Sequence, residues 1–559
     1  MNYLSRMAAK HPKGLPYLFF SEMWERFGYY LMLGIFTLYL EAPVEKGGFG
    51  MDTYGSADVY GTFIALVFLT PFIGGLLADR VLGYRMSIIV GGLMMGAGYS
   101  LLAVKGYTAF YIALFLIILG NGFFKPNIST LLGNLYNDDR YKLQKDAGYN
   151  IFYMGINIGA FICNFFGAVM LNVWGWSAAF LMAGGGMFVG VIIFLIGTRH
   201  YKHADVLKPV KPEDSSLFRI FGLTILPMIV AGILGWFIKG ITGEANPNGN
   251  IFGSDSTDAF IFGCIPVIFF YFNLWRKSSA EERKPIGAML AIFAVVIVFW
   301  AVFKQNGTAL TTWANKYTDR EVPVAISGTL EEIKLAETIE LKKDSIPLTD
   351  RHFVKVKDSS GAQVMTYAFP DYTKNIRNPE RLKEGDKLYL TSTNIFQSVN
   401  PGWVILLTPL VVGVFMMLRK RGREPSTPAK IAWGLVISAL STLVMVGAVY
   451  AGSNGEIKVS SWWLIASYGV ITVGELCLSP MGLSLVSKLS PPRLTALMMG
   501  GWFLSTSLGN KLSGILASMW KTYDNKANFF LVNFALLGLS ALAIFLMLRW
   551  LNKIFKEHQ

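Results

Sequence analysis

The sequence predicts an all-α polytopic membrane protein of fourteen spans, with a small β-rich insertion on its outer face. Of its 559 residues, 53% are hydrophobic and only 15% charged, with a mean hydropathy of +0.45. Soluble chains carry roughly 25% charged residues, and a lipid-facing surface cannot hydrate an ion. Most apolar runs are about 20 residues long, enough to cross a hydrocarbon core of about 30 Å. Lys and Arg crowd into alternate connecting loops.

The apolar segments lie near 17–40, 56–78, 84–104, 107–131, 147–171, 177–198, 217–240 and 258–275, then 284–306, 393–418, 429–451, 461–487, 494–519 and 529–550. One side of this array carries Arg6, Lys10, Lys13, Arg80, Arg85, Arg140, Lys142, Lys145, Arg199, Lys202, Lys208 and Lys211. The same side continues with Arg276, Lys277, Arg283, Lys284, Arg419–Lys420–Arg421, Arg423, Lys430, Lys488, Arg493 and the basic C-terminal tail. The short loops opposite offer little beyond Lys46, Lys105, Lys458, Lys521 and Lys526. The positive-inside rule then places both termini in the cytoplasm of a multi-pass protein of the cell (inner or plasma) membrane. Residues 309–392 are polar, with alternating stretches at His352–Lys357 and Val364–Ala368 and a further run at Lys387–Leu390. Such alternation predicts strands, and a long translocated loop is exempt from the charge rule.

The net charge of +14 and pI near 9.4 follow from these loops and imply no nucleic-acid partner. Cys163, Cys264 and Cys477 fall in three different apolar segments, so neither a metal site nor a disulfide framework is expected. His11, His200, His203, His352 and His558 all lie outside the apolar segments, which excludes a buried histidine as proton switch. The first apolar segment is charged and too long for a cleavable signal peptide.

Charges inside spans cost roughly 2.5–3.5 kcal/mol each on insertion scales, so each demands a reason. In the first span, Glu22, Glu25, Arg26, Tyr29 and Tyr30 recur at the spacing that places all five on one helical face. Lys125, Lys304 and Glu475 stand isolated in apolar surroundings. The three acids balance the three bases, which predicts mutual pairing around one central site.

Four segments resemble the proton-coupled oligopeptide transporters of the major facilitator superfamily. They are Glu22-x-x-Glu25-Arg26-Phe27-x-Tyr29-Tyr30, the Gly120–Asn127 run around Lys125, Phe152-Tyr153-Met-Gly-Ile156-Asn157-Ile-Gly159, and Glu475 with Ser479-Pro480. A fifth, Gly74–Arg85 with Asp79 and Arg80, is similar to the superfamily's loop between spans two and three. The resemblance implies two six-helix bundles (1–200 and 284–559), an extra helix pair within the linker 201–283, and the outer insertion 309–392. It implies a symporter that imports di- and tripeptides by alternating access, needing no cofactor beyond the proton gradient and complete as a monomer. Asn157, Asn400 and Glu475 would hold the peptide's amino end, and Arg26 and Lys125 would face its carboxylate. Ser398 lies beside Asn400, and Tyr29, Tyr30, Tyr153, Trp300 and Trp502 would form side-chain pockets. Glu22, Glu25, Arg26, Lys125, Lys304 and Glu475 are the expected proton-coupling and gating groups, with protonation of Glu475 weakening a pair with Lys125.

Two positions depart from the family pattern. Leu33 stands where many members carry arginine, and Lys304 where many carry an acid. The usual outer ion pair is therefore missing, and Lys304 is expected to pair with Glu22 or Glu25 instead. A related transporter for another small zwitterion or anion, such as nitrate or an amino-acid derivative, with altered proton coupling, is the alternative reading. A membrane-embedded enzyme or receptor is disfavoured, because no nucleophile–histidine pair or metal-ligand cluster lies in the spans and no Walker-type loop occurs.

Overall fold

The computed structural model of the chain describes residues 11–136, 138–141, 145–205, 221–240, 242, 249–351, 353–359, 362–491 and 494–557. Arg6, Lys10, Lys142, Lys208, Lys211, His352, Arg493, His558 and the start of the segment read at 217–240 lie outside these residues. So do the side chains of Asp79, Arg80, Lys145, Arg419, Pro480, Lys488 and Lys521.

Helices dominate, because in hydrocarbon every backbone N–H and C=O must be satisfied within its own segment. The first half runs α1 (Leu15–Glu41), α2 (Thr53–Leu77), α3 (Tyr84–Leu101), α4 (Tyr107–Leu135), α5 (Lys145–Trp174) and α6 (Trp176–Gly197). Next come α7 (Leu226–Phe237), α8 (Asp255–Lys277), α9 (Ala280–Phe303), and two short helices, α10 (Ala309–Lys316) and α11 (Val324–Glu332). The chain finishes with α12 (Val399–Lys420), α13 (Thr427–Ala451), α14 (Trp462–Leu489), α15 (Thr495–Ser518) and α16 (Lys526–Glu557). Thirteen of the fourteen apolar segments overlap one of the long helices, the described part of the segment at 217–240 holds only the shorter α7, and ten of the described helices are long and apolar enough to cross a membrane.

Local chemistry fixes the helix ends. Asp52 caps α2 by accepting from the Gly55 amide at 2.9 Å, and Ser254 caps α8 by accepting from the Thr257 amide at 3.2 Å. Helix α8 also carries Asp255 and Asp258 in its first turn and Arg276 and Lys277 in its last, the polarity its dipole favours. Pro71, Pro126, Pro266 and Pro409 sit within α2, α4, α8 and α12, as neighbouring helices permit in membranes.

Two hydrophobic cores result. One draws on residues from Leu15 to Ala204 and holds α1 to α6 together. The other draws mainly on residues from Phe260 to Phe555, joined by Ala57 and Ala65 of α2. Small residues allow the close approaches: a Cβ on Gly74 of α2 would lie 2.0 Å from the Gly122 carbonyl oxygen of α4. Helices α7 and α8 pack on each other, and Phe260, Cys264, Val267 and Tyr271 of α8 join the second core.

Residues 309–392 open with a helix rather than a strand. Thr311, Thr312, Trp313 and Ala314 of α10 are buried, and Trp313 joins the second core, so apolar packing overrides the polar composition. Beyond it, β1 (Thr318–Asp319), β2 (Ala336–Glu340), β3 (Asp344–Pro347), β4 (Met365–Ala368) and β5 (Lys387–Thr391) form short ladders. β2 pairs antiparallel with β5 in the register Ala336 to Thr391, and β3 with β4 in the register Asp344 to Ala368. β1 pairs parallel with β6 (Val459–Ser460), which ties this segment to the loop before α14. Tyr372, Ile376 and Leu390 give it a small apolar core of its own.

Candidate functional site

The polar face of α1 is buried, with Glu22, Glu25, Arg26 and Tyr29 between 0% and 3% exposed. Arg26 takes both acids. Its guanidinium grips Glu25 in a fork, with Nη2 donating to Oε1 at 2.5 Å, and its Nε lies 3.5 Å from Glu22 Oε1. A bidentate pair of this kind is the strong form of a charge-assisted hydrogen bond. The Arg26 guanidinium also lies 4.9 Å from the centre of the Tyr29 ring, and Tyr30 packs edge-on against Tyr29. The Glu22 Oε2 atom is buried with no hydrogen-bond partner among the described residues.

This arrangement corrects one expectation. Lys304 pairs with neither Glu22 nor Glu25, because Arg26, adjacent on the same helix, already holds both. A Lys125–Glu475 ion pair is likewise not formed. Lys125 Nζ stands 4.0 Å from the centre of the Phe68 ring, and Lys304 Nζ stands 5.5 Å from the same ring. Glu475 is instead held by a neutral partner, Asn400. Asn400 donates to its Oε2 at 3.1 Å and to Thr472 Oγ1 at 2.8 Å.

The six ions still converge on one site. Lys125 lies within electrostatic reach of Arg26, Glu25, Glu22 and Lys304, and Lys304 within reach of Glu475 and Arg26. Four helices contribute: α1, α4, α14, and α9, whose end passes into a 3-10 turn at Lys304–Gly307. Tyr30 and Tyr153 both feel the Glu475 charge. Asn157, 8% exposed, donates to the Tyr153 carbonyl oxygen at 2.9 Å. Trp300 packs on Phe299 and Phe303 and has its indole N–H buried without an acceptor among the described residues.

Two expected ligand groups are used elsewhere. Trp502, 3% exposed, packs into the second core against Phe293 and over Gly482. Ser398 stitches α5 to the start of α12, donating to the Phe161 carbonyl oxygen at 2.6 Å and accepting from Asn164 Nδ2 at 3.1 Å.

The Ser398 contact belongs to a set that joins the two cores. Lys511 of α15, 2% exposed, donates to Asp58 of α2 at 2.7 Å, to Ser256 at 2.9 Å and to Thr62. Asp58 also accepts from Ser254 at 2.7 Å, from Ser256 at 2.6 Å and from Thr257 at 3.2 Å, all at the start of α8. Beside this cluster α2 and α15 touch through glycine, since a Cβ on Gly514 would lie 2.6 Å from the Ala57 carbonyl oxygen. Thr37 Oγ1 donates to the Gly307 carbonyl oxygen at 2.5 Å, joining α1 to the turn after α9. These contacts lie toward the end where α1 finishes, α2 begins and α15 finishes.

Sequence reasoning missed Phe68, Asp58 and Lys511. Phe68 gives no signal, being one more aromatic in an apolar run. Asp58 falls at the edge of its segment and reads as a loop residue. Lys511 lies well inside the run 494–519, and an isolated cation there was the available signal.

Comparison with known proteins follows the same lines. The chain matches the model of the POT family over residues 85–331 and 387–532. It is 29% identical over 512 residues to the uncharacterized transporter YclF of Bacillus subtilis (strain 168), covering 91% of this chain and 88% of that one. A di-/tripeptide transporter of Lactococcus lactis subsp. lactis (strain IL1403) is 28% identical over 516 residues, covering 91% and 90%. A crystal structure of a mutant of the peptide transporter POT in complex with alafosfalin matches with a TM-score of 0.72 and 28% identity, over 97% of this chain and 96% of that one.

Proposed function

The chain belongs to the POT family, and on that premise we propose that it is a proton-coupled symporter importing di- and tripeptides by alternating access. The observation that carries this reading is the dipolar site: Glu475 held by Asn400, with Lys304 within its electrostatic reach and Lys125 beside Lys304 over the shared Phe68 ring. Every small peptide offers one ammonium and one carboxylate at limited separation, so such a site recognises the class without reading sequence. Relatives that align along most of the chain carry the names of di- and tripeptide transporters. The family's members move substrates rather than convert them, and the driving force here is the proton gradient, with no cofactor.

The architecture fits this cycle. Residues 1–200 and 284–559 form the two moving bundles, each with its own core, and 201–283 hold the extra pair α7 and α8. All fourteen apolar segments span the membrane, both termini face the cytoplasm, and the segment beyond α10 lies outside. In that orientation the Asp58–Lys511 cluster and the Thr37–Gly307 contact hold the outer end shut. One chain supplies both bundles and works as a monomer in the cell membrane.

Coupling needs a carboxylate whose proton affinity changes as the cavity opens and closes. Glu475 fills this role, because its partner Asn400 stabilises either form while Lys304 stabilises only the ionised one. Protonation then releases the Lys304 charge and favours the change of state. A second reading, transport of another small anion or zwitterion, draws support from Lys304. Competition of dialanine against a labelled substrate separates the two, since only the peptide reading requires dialanine to compete.

A further inference from the structure

Lys125 and Lys304 present two ammonium groups to the site, and neither forms a direct ion pair or hydrogen bond among the described residues: Glu475 reaches Lys304, and Glu22 and Glu25 reach Lys125, only at longer electrostatic range. Their compensation is aromatic. Phe68 lies 4.0 Å from Lys125 Nζ and 5.5 Å from Lys304 Nζ, while Phe303 and Trp300 flank Lys304 at 5.6 and 5.9 Å. Ring faces return only part of what withdrawing an ion from water costs. The acids of the site make their direct contacts with other groups. Glu22 and Glu25 go to Arg26, and Glu475 is held by Asn400.

A zwitterionic peptide brings a carboxylate into contact with only one of these lysines. Its ammonium goes to Glu475 and its single carboxylate to one lysine, leaving the other without a carboxylate in contact. Because both lysines share Phe68, they can be no farther apart than their two distances to its centre taken together. A peptide's terminal carboxylate and an acidic side chain on the same or the adjacent residue span such a gap, at roughly 3.5 Å of reach per extended residue.

Resting on the peptide reading above, we infer that the cavity prefers peptides bearing a second carboxylate, and that Lys304 with Lys125 is the determinant of this preference. The lysine at 304 converts a site for any small peptide into one biased toward aspartyl and glutamyl peptides.

The test is direct binding of Ala-Ala, Ala-Gln and Ala-Glu to the purified full-length protein by calorimetry. The expected result is Ala-Glu binding about tenfold tighter than Ala-Gln, the neutral peptide of the same shape. In Lys304→Gln the ratio of the two affinities falls to within about twofold, whatever the absolute values, and Lys304→Arg restores it. Equal binding of Ala-Glu and Ala-Gln by the unaltered protein overturns the inference, with no variant needed. An unchanged ratio in Lys304→Gln overturns the role of Lys304. Binding of none of the three overturns the peptide reading itself and this inference with it, whereas tight Ala-Ala binding without acidic preference overturns the inference alone.

Discussion

The contact between α2 and α15 makes a quantitative prediction about which face of the protein is open. Lys511 is 2% exposed and its one carboxylate partner among the described residues is Asp58, at 2.7 Å. Asp58→Asn keeps the size of the side chain and an oxygen acceptor but removes the charge. Breaking one partner from a buried pair costs about 3–5 kcal/mol. Thr62 and Ser256 still accept from the ammonium, so the lower figure of about 3 kcal/mol applies. That cost falls on the state in which Lys511 is buried and is relieved when α2 and α15 part, so the balance moves by up to about 150-fold toward the outward-open state. Ser507→Cys offers a probe in the same seam, since Ser507 is fully buried and donates to the Ala65 carbonyl oxygen at 2.6 Å. The native Cys163, Cys264 and Cys477 are buried elsewhere. Adding Asp58→Asn should raise the rate at which an impermeant maleimide labels the introduced thiol from outside by at least about tenfold. Labelling that stays at the parent rate, or rises only from the cytoplasmic side, refutes the reasoning.

Other outcomes follow from the same structure. Gly514→Val should force α2 and α15 apart, because its Cβ alone meets the Ala57 carbonyl oxygen at 2.6 Å. Overpacking of this kind costs about 1–3 kcal/mol, so external labelling should rise and uptake fall; normal uptake contradicts the close contact. Glu475→Gln should abolish gradient-driven accumulation, and uphill uptake at the parent rate removes Glu475 from the coupling role. Where residues 309–392 meet the loop before α14, burial and the like charge of Arg320 lower the pKa of the Lys458 ammonium to about 7, against the opposing pull of Asp319, Glu321 and Asp371. Its proton is otherwise kept up to about 10.5 in an unfolded chain. The unfolded state therefore binds more protons between these values, and the segment gains stability as pH rises through that window. Hydrogen exchange of residues 336–391 should slow, after correction for intrinsic rates, between about pH 7 and 9, and Lys458→Met should remove the change.

The helices were legible because apolar runs of membrane length leave little choice of structure. Glu22, Glu25, Arg26, Lys125, Lys304 and Glu475 were legible as a group because ions in such runs need partners. Which ion pairs with which was not legible. The i, i+4 neighbours Glu22 and Arg26 are fixed by the helix itself, but the distances of Lys304 from Glu475 and Phe68 depend on how four helices pack. Trp502 shows the same limit, since an aromatic in a span reads alike whether it faces a cavity or, as here, fills a space over Gly482. The helix at Ala309–Lys316 escaped because its threonines are polar in composition yet buried by Trp313 and its neighbours. Asp58 shows what an ion at a segment's edge conceals, since its partner is distant in sequence.

Proton-driven uptake of labelled dialanine into liposomes tests the central claim most directly. The protein should accumulate dialanine above the external concentration when an inward proton gradient is imposed, and an uncoupler should abolish that accumulation. Failure of dialanine either to enter or to compete, in protein shown to be folded and inserted, would contradict the account.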